Sequence, residues 1–256
     1  MPDLAYLQVQ GVTKRFDSGA AGLTAIERVS FDVAMGRFVS ILGPSGCGKS
    51  TLFNIIAGLL MPSEGDVRIG DTSVIGQAGQ VGYMLQKDLL LPWRTIEDNI
   101  ILAPSLRGIK RREALKAAMP LIERCGLSSF EKKKPHQLSG GMRQRAALLR
   151  TLLTGKDVLL LDEPFGALDA ITRLQLQMTL IDVWQETRKT ILFVTHDVEE
   201  ALLLSDEIIV LTDRPGRVRA RLPIDLPRPR NADMLASPDL MALKVKLMTR
   251  QVWKRL

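Results

Sequence analysis

One junction in the chain restricts its fold more than any other. Phe38-Val39-Ser40-Ile41-Leu42 runs directly into Gly43-Pro44-Ser45-Gly46-Cys47-Gly48-Lys49-Ser50 and Thr51, and then into a helical repeat. The first run reads as a buried strand. The next eight residues fit G-x-x-x-x-G-K-[ST], the phosphate-binding P-loop. Leu52, Ile55, Ile56 and Leu59 then recur at i, i+3, i+4 and i+7, one face of a helix. Strand, glycine loop and helix start together make an anion site, because backbone N–H groups converge there and the helix dipole favours negative charge. Lys49 is expected to reach the β- and γ-phosphates, and the Ser50 hydroxyl to ligate Mg²⁺. The junction predicts a bound nucleoside triphosphate.

The rest of the sequence supplies a sheet to carry this loop. Residues 5–35 alternate apolar and polar (Tyr6-Leu7-Gln8-Val9, Val29-Ser30-Phe31-Asp32-Val33), which suits half-exposed antiparallel strands. Val67-Arg68-Ile69 with Gly70-Asp71 adds a hairpin signal. Residues 39–42, 158–161, 191–194 and 208–211 are instead short, continuous apolar runs separated by helical segments, the pattern of a parallel α/β sheet covered on both faces. Between Pro92 and Leu138 the pattern is helix-rich and basic, an inserted helical lobe. Leu222-Pro223 and Leu226-Pro227-Arg228-Pro229-Arg230 read as an extended, proline-punctuated connector. From Met234 to Leu256 one or two surface helices are expected.

Composition bounds the setting. With 256 residues, 46% of them hydrophobic, the chain can bury one large core, or one core with a smaller satellite lobe. No run approaches the roughly 18 consecutive apolar residues of a membrane span, and Met1-Pro2-Asp3-Leu4 lacks the pattern of a signal peptide. A cytosolic setting is expected. Cys47 and Cys125 match neither a metal nor a disulfide spacing and are read as reduced thiols. Cys47 lies in the phosphate loop, so alkylating it is expected to block nucleotide. The net charge of +7 gathers at Lys110-Arg111-Arg112, at Lys132-Lys133-Lys134 and in the tail, and reads as solvated faces. Charge alone does not choose a partner.

A P-loop needs an acidic partner on a neighbouring strand. Val158-Leu159-Leu160-Leu161-Asp162-Glu163 provides it, with Asp162 at the carboxyl end of a buried strand, where α/β sheets bind ligands. Asp162 is expected to hold Mg²⁺, mostly through water. Glu163 projects differently and is placed to polarise an attacking water. His196, one of two histidines, follows the next buried strand, where a neutral imidazole can bond the γ-phosphate and orient the water. Ser139-Gly140-Gly141 opens a further helix whose apolar face is Met142, Ala146, Leu149 and Leu153, with Ser139 as N-cap and Gly155 as stop. It is a second phosphate-binding helix start, separated from the P-loop crevice. A symmetric dimer, each chain covering the other's nucleotide, reconciles the two.

Taken together these residues resemble the ATP-binding cassette (ABC) ATPases. Leu138-Ser139-Gly140-Gly141-Met142 is similar to their signature motif, and the likeness extends from about residue 5 to 217. It implies an α/β P-loop cassette with a mostly parallel core sheet, an N-terminal antiparallel β subdomain and an inserted helical subdomain at about 90–150. The ATP-binding domain would cover 1–221 and a helical extension 222–256. Phe16 stands where the family stacks an aromatic ring on adenine. Gln86 matches the glutamine that senses Mg²⁺ and γ-phosphate. Phe165-Gly166-Ala167-Leu168-Asp169 resembles the loop crossing the dimer interface, with Asp169 its main polar residue, and His196 matches the switch histidine. One departure is Met142, where the family usually has Gln; it cannot donate a hydrogen bond to the partner's nucleotide.

Leu89-Leu90-Leu91-Pro92-Trp93-Arg94-Thr95 and Asp213-Arg214-Pro215-Gly216-Arg217 look like the importer branch for nitrate, sulfonates, taurine and pyrimidine precursors. The resemblance implies an ATP-hydrolysing subunit bound peripherally at the cytoplasmic face of the inner membrane. It would pair with a second copy of itself, contact permease subunits near residues 89–93, and serve a solute-binding protein indirectly. The leucines with Trp93 offer an apolar patch for a short helix of such a permease; otherwise they fill the helical lobe. An exporter or envelope force-transducing cassette is the competing reading. A nucleic-acid-acting ABC ATPase fits poorly, because these residues contain no coiled-coil insertion, zinc module or second cassette.

Overall fold

The computed structural model describes residues 5–17 and 22–248. Met1 to Leu4, the end of the basic tail and the last residues of the expected C-terminal helices lie outside them. The early alternation becomes two long antiparallel strands, β1 (Ala5–Phe16) and β2 (Leu23–Ala34). β1 also pairs with β4 (Glu64–Ile69), which turns through Gly70-Asp71 into β5 (Thr72–Ser73), giving a four-stranded sheet ordered β2-β1-β4-β5.

The continuous apolar runs form the second sheet. β3 (Phe38–Leu42), β7 (Val158–Asp162), β8 (Thr190–Val194) and β9 (Glu207–Leu211) are parallel, with β6 (Gly82–Met84) at one edge and the antiparallel β10 (Val218–Pro223) at the other. Successive side chains of a strand point to opposite faces, and the packing follows. Along β7, Val158 and Leu160 join one apolar cluster while Leu159 and Leu161 join another. Along β8, Leu192 and Val194 take the first side and Ile191 and Phe193 the second. The first cluster is closed by the antiparallel sheet and α1 (Lys49–Ile56), the second by the helical lobe and α6 (Ala170–Thr187). A sheet buried on both faces has no polar side to show, hence the unbroken apolar runs.

The lobe consists of α2 (Ile96–Ile100), α3 (Leu102–Leu106), α4 (Arg111–Arg124) and α5 (Gly140–Leu152). Ala114, Ala118 and Ile122 of α4 and Ala146 and Leu149 of α5 share one core with Leu159 and Leu161. The lobe is therefore continuous with the sheet. After β8, α7 (Val198–Leu204) returns the chain to β9. Among the described residues no helix is long and apolar enough to cross a membrane.

Three details differ from the sequence reading. Leu59 is 57% exposed, because α1 stops at Ile56 and Gly58 turns the chain at φ +71°. Leu222 and Pro223 end β10 rather than begin a connector; a proline is tolerated at a strand end on the sheet edge. The described part of the C-terminal segment is a short 3₁₀ turn (Ala232–Ala236) and α8 (Pro238–Met248). It is no mere surface appendage: Leu240 and Leu247 are buried with Leu202, Ile208 and Val210 in a third apolar cluster.

Candidate functional site

Strands β3, β6, β7 and β8 deliver their carboxyl ends to one edge, and the predicted residues follow them directly: the P-loop, Gln86, Asp162 with Glu163, and His196. A cavity of about 300 Å³ opens there. Phe16, Leu23 and Ala25 give it an apolar wall. Ser45, Gly46, Gly48, Lys49, Ser50 and Thr51 line it from the P-loop, and Gln86, Asp162 and Glu163 from the neighbouring strands. The ammonium of Lys14 lies 5.1 Å from the Phe16 ring centroid.

Gly48 caps the start of α1 at φ +103°, where a Cβ would lie 2.4 Å from the Ile26 side chain and 2.8 Å from the Ala25 carbonyl. Only glycine fits there. Lys49 is buried, and its Nζ donates to the Gly43 and Pro44 carbonyls at 2.7 and 2.8 Å, which holds the charge inside the loop. Gly43 and Pro44 therefore shape the loop without lining the cavity. Cys47 is a correction. Its side chain is 1% exposed, turned into the core beneath the loop, and burial pushes the thiol above its ordinary range. A thiol so placed is expected to react with an alkylating reagent more slowly than an exposed one.

Asp162 is 3% exposed. Burial raises its pKa, while a hydrogen bond with the Ser50 side chain and the charge of Lys49 oppose the rise. A buried carboxylate beside a hydroxyl is the hard-oxygen donor set that Mg²⁺ prefers, its remaining positions being left to water and phosphate. Among the described residues there is no cluster of three or more His, Cys, Asp or Glu side chains able to hold a metal unaided.

Glu163 comes next, at φ +48°. Its Oε2 accepts from Gln86 Nε2 at 3.3 Å, and its Oε1 lies 3.5 Å from His196 Nδ1. The sequence readings of these three residues thus meet at one carboxylate. His196 lines not the first cavity but a small second one beside it, which it shares with Glu163, Thr195, Asp197, Glu200 and Arg173. Thr195 Oγ1 donates to the buried Glu200 at 2.6 Å, as does Gln177 Nε2 at 3.1 Å. Arg173 approaches both Asp197 and Glu200 at 3.8 Å and donates to the Leu168 carbonyl at 3.1 Å.

The fold does not bring every predicted residue to this cavity. Ser139 N-caps α5, its Oγ accepting from the Met142 N–H at 3.3 Å, and Gly141 lies so close to Leu168 that a Cβ would sit 2.8 Å from it. Asp169 N-caps α6 through the Thr172 N–H at 3.0 Å, and that bond lowers its pKa. Neither Ser139, Gly140 and Gly141 nor Asp169 lines the cavity formed within one chain.

Beyond Gln86 the chain is pinned to α5: Arg143 pairs with Asp88 at 3.0 Å, and Arg150 donates to the Asp88 and Leu89 carbonyls at 2.6 and 2.8 Å. Leu90 is buried, but Leu89 is 53% and Trp93 69% exposed. Trp93 does not fill the lobe. Three cavity residues, Leu23, Ala25 and Arg214, are not among the expected site residues. Arg214, noted in the sequence only within the importer-like segment 213–217, lines the cavity and donates to the Gly46 carbonyl.

Comparison with known proteins agrees with this geometry. The sequence model of the ABC transporter family matches residues 26–166. The taurine import ATP-binding protein TauB of Rhizobium johnstonii is 47% identical over 204 residues, 80% of this chain and 78% of that one. An uncharacterized ABC transporter ATP-binding protein of Methanocaldococcus jannaschii is 44% identical over 225 residues, 88% of this chain and 84% of its own length. Among solved structures, the dimeric bacterial ABC transporter cassette MJ0796 superposes with a TM-score of 0.77 at 33% identity, covering 86% of this chain and 99% of that one. The same cassette in a post-hydrolysis state bound to ADP and Pi matches at 0.77 and 32%, with the same coverage.

Proposed function

The chain belongs to the ABC transporter family, whose ATP-binding and ATP-hydrolysing cassette it contains, and from that premise we propose that it powers an importer for a small solute. The solute class is that of nitrate, sulfonates, taurine or a pyrimidine precursor. The relatives named as taurine import proteins support the direction of transport. The carrying observation is local. Exposed Leu89 and Trp93 sit on a segment that begins at Gln86, which bonds the Glu163 carboxylate. A change at the reacting phosphate therefore has a short covalent path to an apolar surface suited to a permease helix.

The phosphoryl group passes from ATP to water. Lys49 and the loop N–H groups neutralise the transferring phosphate, and positioning with electrostatics supplies most of the acceleration. Asp162 and Ser50, with Gln86, are the residues that would hold Mg²⁺, whose charge there offsets that of the phosphates. Glu163 takes the proton of the attacking water, and His196, 3.5 Å from it, steadies that water and the γ-phosphate. Phe16 stacks on the base. Two copies face each other head to tail, and Ser139, Gly140 and Gly141 of one close on the γ-phosphate held by the other, with Asp169 at the interface. Met142 leaves the fifth signature contact unmade. Hydrolysis removes the charge that joins the two faces, and they part. The dimer works at the cytoplasmic face of the membrane, attached through its permease subunits.

The test mixes two inactive chains. Ser139→Arg and Lys49→Ala each abolish turnover alone, whereas their mixture regains about one working site per dimer, since only there does an intact P-loop meet an intact signature. A mixture as inactive as its parents defeats the shared-site reading. Hydrolysis by the chain assembled with its permease, stimulated by a solute-loaded binding protein, marks an importer; stimulation by a cytosolic solute without any binding protein contradicts it.

A further inference from the structure

Residues 212–217, between β9 and β10, form a loop closed on itself. The Thr212 N–H donates to the Arg217 carbonyl at 2.9 Å, and Thr212 Oγ1 accepts from the Arg217 N–H at 3.0 Å. From this base the loop reaches two separate walls of the nucleotide cavity. Towards β2, the Gly216 N–H donates to the Ala25 carbonyl at 3.0 Å and the Gly216 carbonyl accepts from Glu27 at 2.9 Å, with Arg217 Nε bonded to Glu27 at 3.0 Å. Towards the P-loop, Arg214 directs Nε and Nη2 onto the Gly46 carbonyl at 3.0 and 2.8 Å. Gly216 is wedged between the walls: a Cβ there would sit 2.1 Å from the Cys47 carbonyl and 3.4 Å from the Ile26 side chain.

A planar trans peptide sets its C=O and the following N–H on opposite sides. Holding the Gly46 carbonyl outward therefore fixes the direction of the Cys47 N–H, which points back into the loop at the Pro44 carbonyl, 3.3 Å away. Such N–H groups bind phosphate well only when their orientation is set beforehand. The guanidinium carries five N–H donors, so two on Gly46 leave others for the cavity that Arg214 lines. Gln86 and His196 each approach the Glu163 carboxylate, whereas the guanidinium of Arg214 bonds the Gly46 carbonyl.

We propose that residues 212–217 are a strut of the nucleotide site, and that Arg214 is a nucleotide-positioning residue which presets the phosphate loop against the β2 wall. The inference rests on the ATP site described above. Because the loop meets phosphates shared by ATP and ADP, Arg214 governs affinity for both alike. It leaves to Glu163 the rate of the bound complex.

The experiment measures the Kd of Mg·ADP, together with KM and kcat for ATP, in the parent chain, Arg214→Ala and Arg214→Lys. Arg214→Ala is expected to raise Kd and KM together by about tenfold, the effect of losing a charge-assisted hydrogen bond, while kcat moves by less than about twofold. Arg214→Lys keeps the charge but not the two-pronged fork, so most of the affinity loss persists. Parent-like Kd in Arg214→Ala overturns the proposal, as does a fall in kcat at unchanged KM. Complete recovery by lysine overturns the fork in favour of charge alone. Should the alanine variant fail to fold, the lysine variant decides by the same Kd. A parent chain that binds no Mg·ADP, and whose Lys49→Ala variant behaves identically, defeats the ATP-site reading itself.

Discussion

Glu163 holds a left-handed backbone, φ +48°, which a residue with a Cβ adopts only where its surroundings enforce it. Two backbone bonds do so: its N–H reaches the Val194 carbonyl at the end of β8 at 3.0 Å, and its own carbonyl accepts from Gly166 at 3.2 Å. The carboxylate is aimed by the main chain, with Gln86 and His196 as company. Glu163→Gln keeps that shape and removes only the base. It is expected to bind Mg·ATP like the parent while steady-state hydrolysis falls by about two orders of magnitude or more, as phosphate release would show. Undiminished hydrolysis sinks the assignment. Lys49, Asp162, Glu163 and His196 were all legible beforehand, because each follows a buried strand within a few residues. Arg214 and Gly216 were not. Their partners lie far off in the sequence, in β2 and the P-loop, and the importer-like look of segment 213–217 says nothing of a contact with the phosphate loop. The burial of Cys47 was equally hidden, since loop membership says nothing of which way a side chain turns.

At the scale of elements, α6 and α7 meet around Glu200. Asp169 caps α6 and Asp197, next after His196, caps α7, and Arg173 and Gln177 of α6 reach the Glu200 carboxylate of α7. The loop proposed to cross the dimer interface and His196 are thus attached to one buried network. Burial raises the Glu200 pKa above 4.5, with Asp197 adding to the rise and Thr195, Arg173 and Gln177 opposing it. The folded state then holds this proton more tightly than the unfolded chain. Its contribution to stability is full below pH 4.5 and is lost as pH climbs through the raised value. Denaturant melts of Glu200→Gln and parent should accordingly diverge over that window, the variant gaining relative stability with rising pH and then running parallel. A pH-independent gap contradicts the account. Long apolar or alternating runs made most elements readable; β6, only Gly82–Met84, and β10, whose exposed positions end in proline, gave too little pattern.

Across the whole molecule, the C-terminal segment closes the cassette instead of trailing from it. Arg230 is 3% exposed, and its guanidinium donates to five carbonyls: Leu202, Leu203 and Ser205 around the end of α7, and Ile224 and Leu226 of its own segment. Arg228 pairs with Asp206 at 2.7 Å and stacks over Trp184 at 4.1 Å. Arg230→Ala leaves buried acceptors unpaired, and a loss of about 3 kcal/mol is expected in a chemical melt. A loss under about 0.5 kcal/mol, the level of an ordinary surface change, would show the contacts to be dispensable. The same plug has a practical bearing on how the protein is handled. A chain trimmed at the end of β10, the natural-looking place to isolate the ATPase, would strip Leu42, Ile208 and Val210 of their cover and present a sticky apolar flank to its neighbours. A trimmed version that keeps this cover has to retain Leu240 and Leu247 of α8.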